Sequence, residues 1–128
     1  MTMPRILVVE DNPTNLALVR QILEEFYEVD AATNGQDGAE AGIRDLPDLI
    51  VMDLGLPKLD GWGAVVRLRA DPRARHIPVV ALTAHAMVGD ADRALRAGFD
   101  AHLSKPVDED ELLTVIRSLL GDRNAKKV

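Results

Sequence analysis

Acidic, hydroxyl and amino side chains follow four short apolar segments of this chain, at the point where each segment ends. Glu10 and Asp11 follow the first segment and Asp53 follows the third. Thr83 and Lys105 follow the fourth and the fifth. In an open α/β sheet, ligands bind outside the carboxyl ends of the parallel strands, where the strand order reverses. The spacing therefore predicts that three carboxylates, a hydroxyl and an ammonium group gather at one edge of a sheet.

Such a cluster of carboxylates needs a cation besides Lys105. Two carboxylates about 4 Å apart repel by roughly 4 kcal/mol at an effective dielectric constant of 20. Mg²⁺ prefers oxygen ligands and keeps water molecules that phosphate oxygens replace. A carboxylate beside such an ion is a known type of nucleophile for phosphoryl groups and forms an aspartyl phosphate. We therefore expect phosphoryl-transfer chemistry with Mg²⁺ as the cofactor and Mn²⁺ as its substitute.

The elements that must position these residues are five apolar segments, each followed by a stretch with helical spacing. The segments are Ile6–Val9, Val29–Ala32, Leu49–Met52, Val79–Leu82 and Ala101–Leu103. This alternation predicts an α/β fold of the flavodoxin-like (βα)5 kind, with a doubly wound parallel sheet. The first and third segments are apolar throughout, as in central strands, whereas the second and fifth include polar residues, which suits edges. The patterns favour the strand order 2-1-3-4-5.

The first and last helices carry an apolar face and clear end signals. The first has Asn12 as its N-cap and Pro13 near its start. Its apolar residues recur at helical spacing, Leu16, Val19, Ile22, Leu23 and Phe26. The last helix is predicted to open with Asp108 and Glu111 in capping-box spacing and to stop at Gly121. Both helices should bury one face on the sheet.

The fourth helix, from about Met87 to Ala97, has only Met87 and Leu95 as large apolar side chains. It therefore has little area to bury, and we expect it to be the least firmly docked helix. Trp62, near the start of the third helix, is interpreted as a packing residue. We predict one domain over residues 1–121 and a short polar tail over residues 122–128.

Composition excludes several classes of function. The 128 residues carry a formal net charge of −6, which argues against direct binding to nucleic acid. There is no cysteine, so disulfides, thiolate chemistry and Cys-based zinc sites are excluded, and we expect a cytoplasmic location. No apolar segment is long enough to insert into a membrane, and the N-terminus lacks the pattern of a signal peptide.

Together these motifs resemble the pattern of response-regulator receiver domains over nearly the whole chain. They are Glu10-Asp11, Met52-Asp53, Leu56-Pro57, Asp60-Gly61, Thr83-Ala84 and Lys105-Pro106. The resemblance implies that Asp53 is the phosphoacceptor, that Thr83 hydrogen-bonds one phosphoryl oxygen and that Lys105 pairs with another. It also implies a signalling domain rather than an enzyme, assisting its own phosphoryl transfer and a slow self-dephosphorylation.

The resemblance further implies a ligand set for Mg²⁺. Asp11, Asp53 and the backbone carbonyl of Gly55 would bind the ion, and Glu10 would act through a metal-bound water. The peptide bond before Pro106 is similar to the family's cis peptide, which turns the lysine toward the site.

The partners implied are proteins. The phosphoryl donor would be phosphohistidine on a histidine kinase or on a histidine phosphotransfer protein. No DNA-binding or other output segment is recognisable, so the output should be contact with a downstream effector protein. The sparse fourth helix and the fifth strand make the face of the fourth helix, fifth strand and fifth helix the expected contact surface.

Two histidines depart from the family pattern. His102 occupies the switch position where family members usually have Tyr or Phe, and a histidine there would alter the switch or make it sensitive to pH. The alternative is an edge-strand histidine that makes the same rotation. His85, together with Ala84, follows Thr83, flanking the path of the attacking water in relatives. His85 either tunes the lifetime of the acyl phosphate or is simply a loop residue that covers the site.

Several alternatives stay open at the level of sequence. The segment from Thr83 to Asp90 is similar to receivers of hybrid kinases and to cell-cycle single-domain receivers of the DivK kind. Because the chain begins with Met1 and ends soon after the last helix, we expect a stand-alone regulator rather than a receiver cut from a hybrid kinase. A pseudo-receiver that is never phosphorylated would usually have lost an acidic or lysine position. Gly55 disfavours a haloacid-dehalogenase-like phosphatase, and the turn after the first strand lacks the glycines of a dinucleotide site.

Overall fold

A computed structural model of the chain describes residues 3–84 and 90–125. Five strands alternate with five helices along it. The strands are β1 (Arg5–Val9), β2 (Glu28–Ala32), β3 (Leu49–Asp53), β4 (Val79–Thr83) and β5 (Ala101–Ser104). The helices are α1 (Pro13–Glu24), α2 (Gly35–Asp45), α3 (Gly61–Ala70), α4 (Asp90–Ala97) and α5 (Glu109–Ala125). None of the helices in the described part of the chain combines the length and apolarity needed to cross a bilayer.

All strand pairs are parallel, and the sheet has the order β2-β1-β3-β4-β5. The predicted flavodoxin-like fold and strand order are therefore confirmed. Every residue of β3 and β4 is buried, whereas β2 has three exposed residues, as the contrast between central and edge segments predicts. Strand order reverses at β1, whose two neighbours are β2 and β3.

Two apolar cores lie on opposite faces of the sheet, because side chains alternate along each strand. Leu7 and Val9 point into the core beneath α2, α3 and α4, whereas Ile6 and Val8 point into the core beneath α1 and α5. The sheet is thus covered on both faces, which fixes the strands and leaves their carboxyl ends as the place for a site.

The ends of α1 and α5 differ in part from the sequence predictions. Asn12 caps α1 by accepting a hydrogen bond from the Asn15 N–H, as predicted. The predicted apolar face is wrong at Phe26, which lies beyond the last residue of α1 and is 40% exposed. Asp108 accepts a bond from the Glu111 N–H, but α5 continues through Gly121 to Ala125. Gly121 does not end the helix, because glycine lowers helix propensity by only about 1 kcal/mol and does not by itself break a helix.

The described side chains of helix α4 include one buried and one exposed apolar residue. Ala94 is fully buried, whereas Leu95 is 54% exposed. The predicted start of this helix near Met87 lies outside the described residues. Alanine offers little apolar area, so the burial of Ala94 stabilises α4 only modestly.

Arg69, near the end of α3, ties together the amino ends of β4 and β5. Its guanidinium donates to the carbonyls of Gly98, Arg75 and Ile77 and to Asp100 Oδ2, at 2.7–3.1 Å. Asp100 Oδ2 also accepts the Val79 N–H at 2.8 Å. This Arg69 cluster, comprising Arg69, Asp100 and the backbone groups they bind, lies at the edge opposite the carboxyl ends of the strands.

Candidate functional site

The carboxyl ends of β1, β3 and β5 bring Glu10, Asp53 and Lys105 into direct contact. Lys105 Nζ donates a hydrogen bond to Glu10 Oε1 at 2.8 Å and another to Asp53 Oδ2 at 2.9 Å. These partners lie 95 and 52 residues from the lysine along the chain. Only the parallel sheet topology brings such distant residues together, as the strand-end argument predicts.

Two of the acidic side chains at this edge and the Thr83 side chain are withdrawn from solvent. Glu10 is 0% exposed, Asp53 is 6% exposed and Thr83 is 7% exposed. Buried charges are costly unless they are paired and hydrogen-bonded. The Lys105 ammonium supplies that pairing for both carboxyl groups at once, which makes the three side chains one electrostatic unit.

The carboxyl group of Glu10 has a strongly shifted pKa. Burial raises its pKa to about 7, and the neighbouring Asp53 carboxylate adds to the rise, whereas the Lys105 ammonium opposes it. Burial has this effect because the charged form of a carboxyl group loses its hydration. Around neutral pH, Glu10 is therefore divided between its protonated and its ionised form.

Asp53 is shifted in the opposite direction. Burial alone would raise its pKa, but hydrogen bonding with Glu10 and with Lys105 outweighs burial and holds the pKa below its ordinary value. The Gly55 N–H, 3.1 Å from Asp53 Oδ1, contributes in the same direction. Burial lowers the pKa of Lys105, but its two carboxyl partners outweigh burial and raise the pKa. Asp53 is accordingly an ionised carboxylate beside a charged ammonium group.

A metal ion fits the acidic group at this edge. One carboxylate oxygen from each of Glu10, Asp11 and Asp53 lies within 4.8 Å of the other two. Glu10 Oε2 is buried and has no hydrogen-bond partner among the described residues, so the site holds an acceptor that its own side chains leave unsatisfied. Carboxylate oxygens are the ligands that Mg²⁺ and Mn²⁺ prefer. Asp11, which is exposed, is the member of the group open to solvent.

The loop after β3 folds back closely on the strand that carries Asp53. Asp60 caps α3 by accepting the Gly63 N–H at 2.8 Å, and the Gly61 N–H donates to the Leu54 carbonyl. A Cβ at Gly61 would lie 2.8 Å from the Leu54 Cα and closer still to the Asp53 carbonyl oxygen. The position therefore accepts no larger side chain without a shift of the backbone that carries Asp53.

A pocket of about 430 Å³ opens over Asp53 and is lined by residues from four elements and their loops. Thr83 and Lys105 border it, together with Gly55 and Ala84. The carboxylate, the hydroxyl and the ammonium predicted from strand ends thus share one cavity. A pocket of this size admits a phosphoryl group together with part of the molecule that delivers it.

The remaining predicted residues are placed as follows. The peptide bond between Lys105 and Pro106 is cis. His102 is half-buried on β5, and its Nε2 atom is buried with no hydrogen-bond partner among the described residues. His85 lies outside the described residues.

Sequence reasoning missed a group of side chains beside the pocket. Trp62 packs edge to face on Phe99, with ring centroids 5.7 Å apart and an interplanar angle of 84°, which agrees with its interpretation as a packing residue. The Arg93 guanidinium also lies over the Trp62 ring, 4.4 Å from its centroid, and both residues border the pocket. Arg93 is one of several arginines in its part of the sequence, and no spacing marks it. Only the packing of α4 beside α3 shows the contact.

Comparison of sequences gives a consistent result. Residues 6–117 match the sequence profile of the response regulator receiver domain. The polar-differentiation response regulator DivK of Brucella anthropi is 39% identical over 122 residues, which cover 94% of this chain and 99% of that relative. DivK of Brucella ovis is 38% identical over 118 residues, which cover 91% of this chain and 96% of the relative.

Comparison of structures extends the likeness to the whole fold. The receiver domain of the sensor histidine kinase PA1611 from Pseudomonas aeruginosa, solved with a magnesium ion coordinated in its active-site cleft, has a TM-score of 0.87 and 36% identity. The match covers 94% of this chain and 99% of that structure. A CheY-like receiver domain protein from Methanospirillum hungatei has a TM-score of 0.86 and 28% identity, with 98% and 99% covered.

Proposed function

Because this chain belongs to the response regulator receiver family, we propose that Asp53 accepts a phosphoryl group from phosphohistidine and that this modification changes the protein's contacts with other proteins. One observation carries the proposal: Asp53 is an almost buried carboxylate, bound by the Lys105 ammonium and the Gly55 N–H beside two further carboxyl groups. Receivers are signalling domains of two-component systems, and the expected absence of enzymatic turnover follows from that role.

Asp53 acts as the nucleophile. Its lowered pKa keeps the carboxylate ionised at neutral pH, so an oxygen lone pair is available to attack phosphorus. The new bond joins an Asp53 oxygen to phosphorus, and the bond between phosphorus and the donor imidazole nitrogen breaks. The nitrogen keeps the electron pair of the broken bond. Phosphoryl transfer needs positioning and charge stabilisation above all, and a pocket with a fixed carboxylate supplies the first.

Lys105 and Thr83 stabilise the transferred group. The Lys105 ammonium pairs with one phosphoryl oxygen, for which it is already placed 2.9 Å from the accepting carboxylate. The Thr83 hydroxyl, at the end of β4 and at the border of the same pocket, donates a hydrogen bond to another. These groups also assist the slow loss of the phosphoryl group to water.

The residues that would hold Mg²⁺ are Asp11 and Asp53 directly, the backbone carbonyl of Gly55, and Glu10 through a water molecule. When bound there, the ion would neutralise the carboxylates and the negative charge of the phosphoryl oxygens. The unsatisfied oxygen of Glu10 and the exposed carboxylate of Asp11 support this assignment.

The output surface is the face formed by α4, β5 and α5. Among the described side chains of α4, Ala94 is buried and Leu95 is exposed, and β5 is an edge strand of four residues. A local change of charge at Asp53 acts only through an element with two arrangements. Arg93 on α4 and Lys105 after β5 both line the pocket, so these two elements adjoin the modified residue. The donor is a histidine kinase or a histidine phosphotransfer protein, and the recipient of the signal is a downstream effector protein.

Intact-mass measurement after incubation with acetyl phosphate and Mg²⁺ tests the phosphoacceptor assignment. We expect the wild-type chain to gain the mass of one phosphoryl group and Asp53→Asn to gain none, because the amide is not a nucleophile for phosphorus. Asp45→Asn, which removes a half-buried carboxylate on α2 that pairs with Arg44, is the matched control and should be modified like the wild type. A wild-type chain that gains no mass would instead be a pseudo-receiver, and equal modification of Asp53→Asn would place the phosphoryl group elsewhere.

A further inference from the structure

The pocket over Asp53 has a cation at its border that the proposed chemistry does not use. Arg93, on α4, lines the same pocket as Asp53, Thr83 and Lys105. Its guanidinium lies 4.4 Å from the centroid of the Trp62 ring, and that ring packs in turn on Phe99. The arginine thus lies on an aromatic face at the border of the pocket, and among the described residues no carboxylate forms an ion pair with it.

After phosphorylation, the negative charge in the pocket would exceed the positive charge that Lys105 supplies, so a second cationic side chain could bind there. Among the described residues that line the pocket, Lys105 and Arg93 are the two that carry positive charge. Lys105 already divides its ammonium between Glu10 and Asp53. An acyl phosphate on Asp53 carries about −1.5 to −2 charges at neutral pH, in place of the single charge of the carboxylate, and presents three strong acceptor oxygens. Even with Mg²⁺ bound, the ion and Lys105 supply three positive charges, whereas the acyl phosphate, Asp11 and ionised Glu10 carry about four negative ones.

The contact of Arg93 with the Trp62 ring is weak enough for the guanidinium to leave it for a stronger partner. Arg93 is exposed, and an exposed guanidinium gains little from an aromatic face. Charge-assisted hydrogen bonds between arginine and phosphate are stronger, and the planar guanidinium can make two of them at once. The arrival of a phosphoryl group at Asp53 therefore offers Arg93 a better partner within the pocket that it already lines.

We propose that Arg93 is a phosphoryl-binding residue, which leaves the Trp62 ring and binds phosphoryl oxygens when Asp53 is phosphorylated. The inference rests on the proposed function and adds to it. It names a residue of α4 that contacts the phosphoryl group directly. The movement of Arg93 would also give α4 a direct link to the modification, separate from Thr83 and Lys105.

The single tryptophan of the chain makes the exchange measurable. Beryllium fluoride with Mg²⁺ serves as the probe, because it mimics an acyl phosphate on a carboxylate. We expect the probe to change the intrinsic fluorescence of the wild type, as the guanidinium leaves the Trp62 ring. We expect Arg93→Gln to show a much smaller change and to need about three to ten times more beryllium fluoride for half-saturation, as measured by calorimetry. Arg93→Lys should recover part of the affinity, since it keeps the charge without the planar group.

Arg96→Gln is the matched control, since it removes the same charge from the same helix at an exposed position that does not line the pocket. It should bind the probe like the wild type. If the half-saturation concentration of Arg93→Gln equals that of Arg96→Gln, the inference is overturned, whatever the fluorescence does. If the wild type binds no beryllium fluoride and gains no phosphoryl mass, the proposed function itself fails. The two failures are therefore distinguishable.

Discussion

The amino ends and the carboxyl ends of the strands each carry a cation paired with at least one carboxylate, but the two clusters differ in how fully their hydrogen-bonding groups are satisfied. At the edge of the Arg69 cluster, one arginine makes four hydrogen bonds, and Asp100 Oδ2 accepts both from Arg69 and from the Val79 N–H. At the carboxyl edge, Lys105 serves two buried carboxyl groups, and Glu10 Oε2 has no hydrogen-bond partner among the described residues. At the amino ends, each guanidinium nitrogen of the arginine is hydrogen-bonded. At the carboxyl ends, the single ammonium group of Lys105 faces more negative than positive charge.

The difference separates structural from functional use of the same chemistry. Satisfied hydrogen bonds stabilise a fold, and an unsatisfied buried acceptor costs free energy that folding must offset elsewhere. A site that is short of positive charge is also one that a metal ion can complete. We therefore expect the Arg69 cluster to stabilise the fold. We expect the group of Glu10, Asp53 and Lys105 to lower the free energy of unfolding until its ligands bind.

Among the substitutions that test this difference, Glu10→Gln should have the largest effect, a change in how the free energy of unfolding depends on pH. Folding raises the pKa of Glu10 from 4.5 to about 7. A group with a raised pKa contributes stability that is complete below its unfolded pKa and is lost as pH rises through its folded pKa. Each pKa unit corresponds to about 1.4 kcal/mol, so the wild type should lose about 3 kcal/mol relative to Glu10→Gln between pH 4 and pH 8.

Urea denaturation with a metal chelator measures that loss across the pH range. Glu25→Gln, which changes an exposed carboxyl at the end of α1, should follow the wild-type profile. Parallel profiles for the wild type and Glu10→Gln would show that the buried carboxyl costs nothing and would remove the contrast between the two edges.

Arg69→Met is the second test and acts at the opposite edge. It leaves three backbone carbonyls and Asp100 without the guanidinium. At about 1 kcal/mol for each hydrogen bond, and with partial access to water, the free energy of unfolding should fall by about 2 kcal/mol. Arg67→Met, from an exposed position of α3, should change it by less than about 0.5 kcal/mol. An equal loss in both variants in urea denaturation would contradict a structural role for the cluster.

The smallest expected effect concerns the metal. Asp11→Asn removes one carboxylate from the acidic group and should weaken Mg²⁺ binding about tenfold in a calorimetric titration, because Mg²⁺ relies on charged oxygen ligands. Arg69→Met should bind Mg²⁺ like the wild type, since its cluster lies at the other edge. Unchanged affinity in Asp11→Asn would mean that the ion is held without this residue.

Sequence patterns predicted the sheet and the core of the site for one physical reason. A strand buried on both faces must be apolar throughout, so the segments around Ile6–Val9 and Leu49–Met52 are recognisable without any tertiary information. Once the strands are known, parallel pairing places the residues that follow them at a common edge. Glu10, Asp53 and Lys105 therefore meet as predicted.

The features that the sequence did not predict are contacts made by long side chains on other elements, the position where a helix ends and an unsatisfied buried oxygen. Arg93 and Arg69 look like any exposed arginine in sequence, and their partners lie on other elements. Gly121 resembles a helix stop, yet α5 continues beyond it, because glycine lowers helix propensity without ending a helix by itself. The unsatisfied oxygen of Glu10 is likewise visible only in three dimensions.

The fold-back of the loop at Gly61 bears on how such a chain can diversify. Trp62 and Arg93 line the pocket with their side chains, so a substitution there alters the border of the pocket and leaves the backbone of β3 in place. A methyl group at position 61, by contrast, would overlap the backbone of Asp53 and Leu54 and force it to shift. Variation is therefore expected at the border of the pocket and not at Gly61, which packs against the backbone that carries the Asp53 carboxylate.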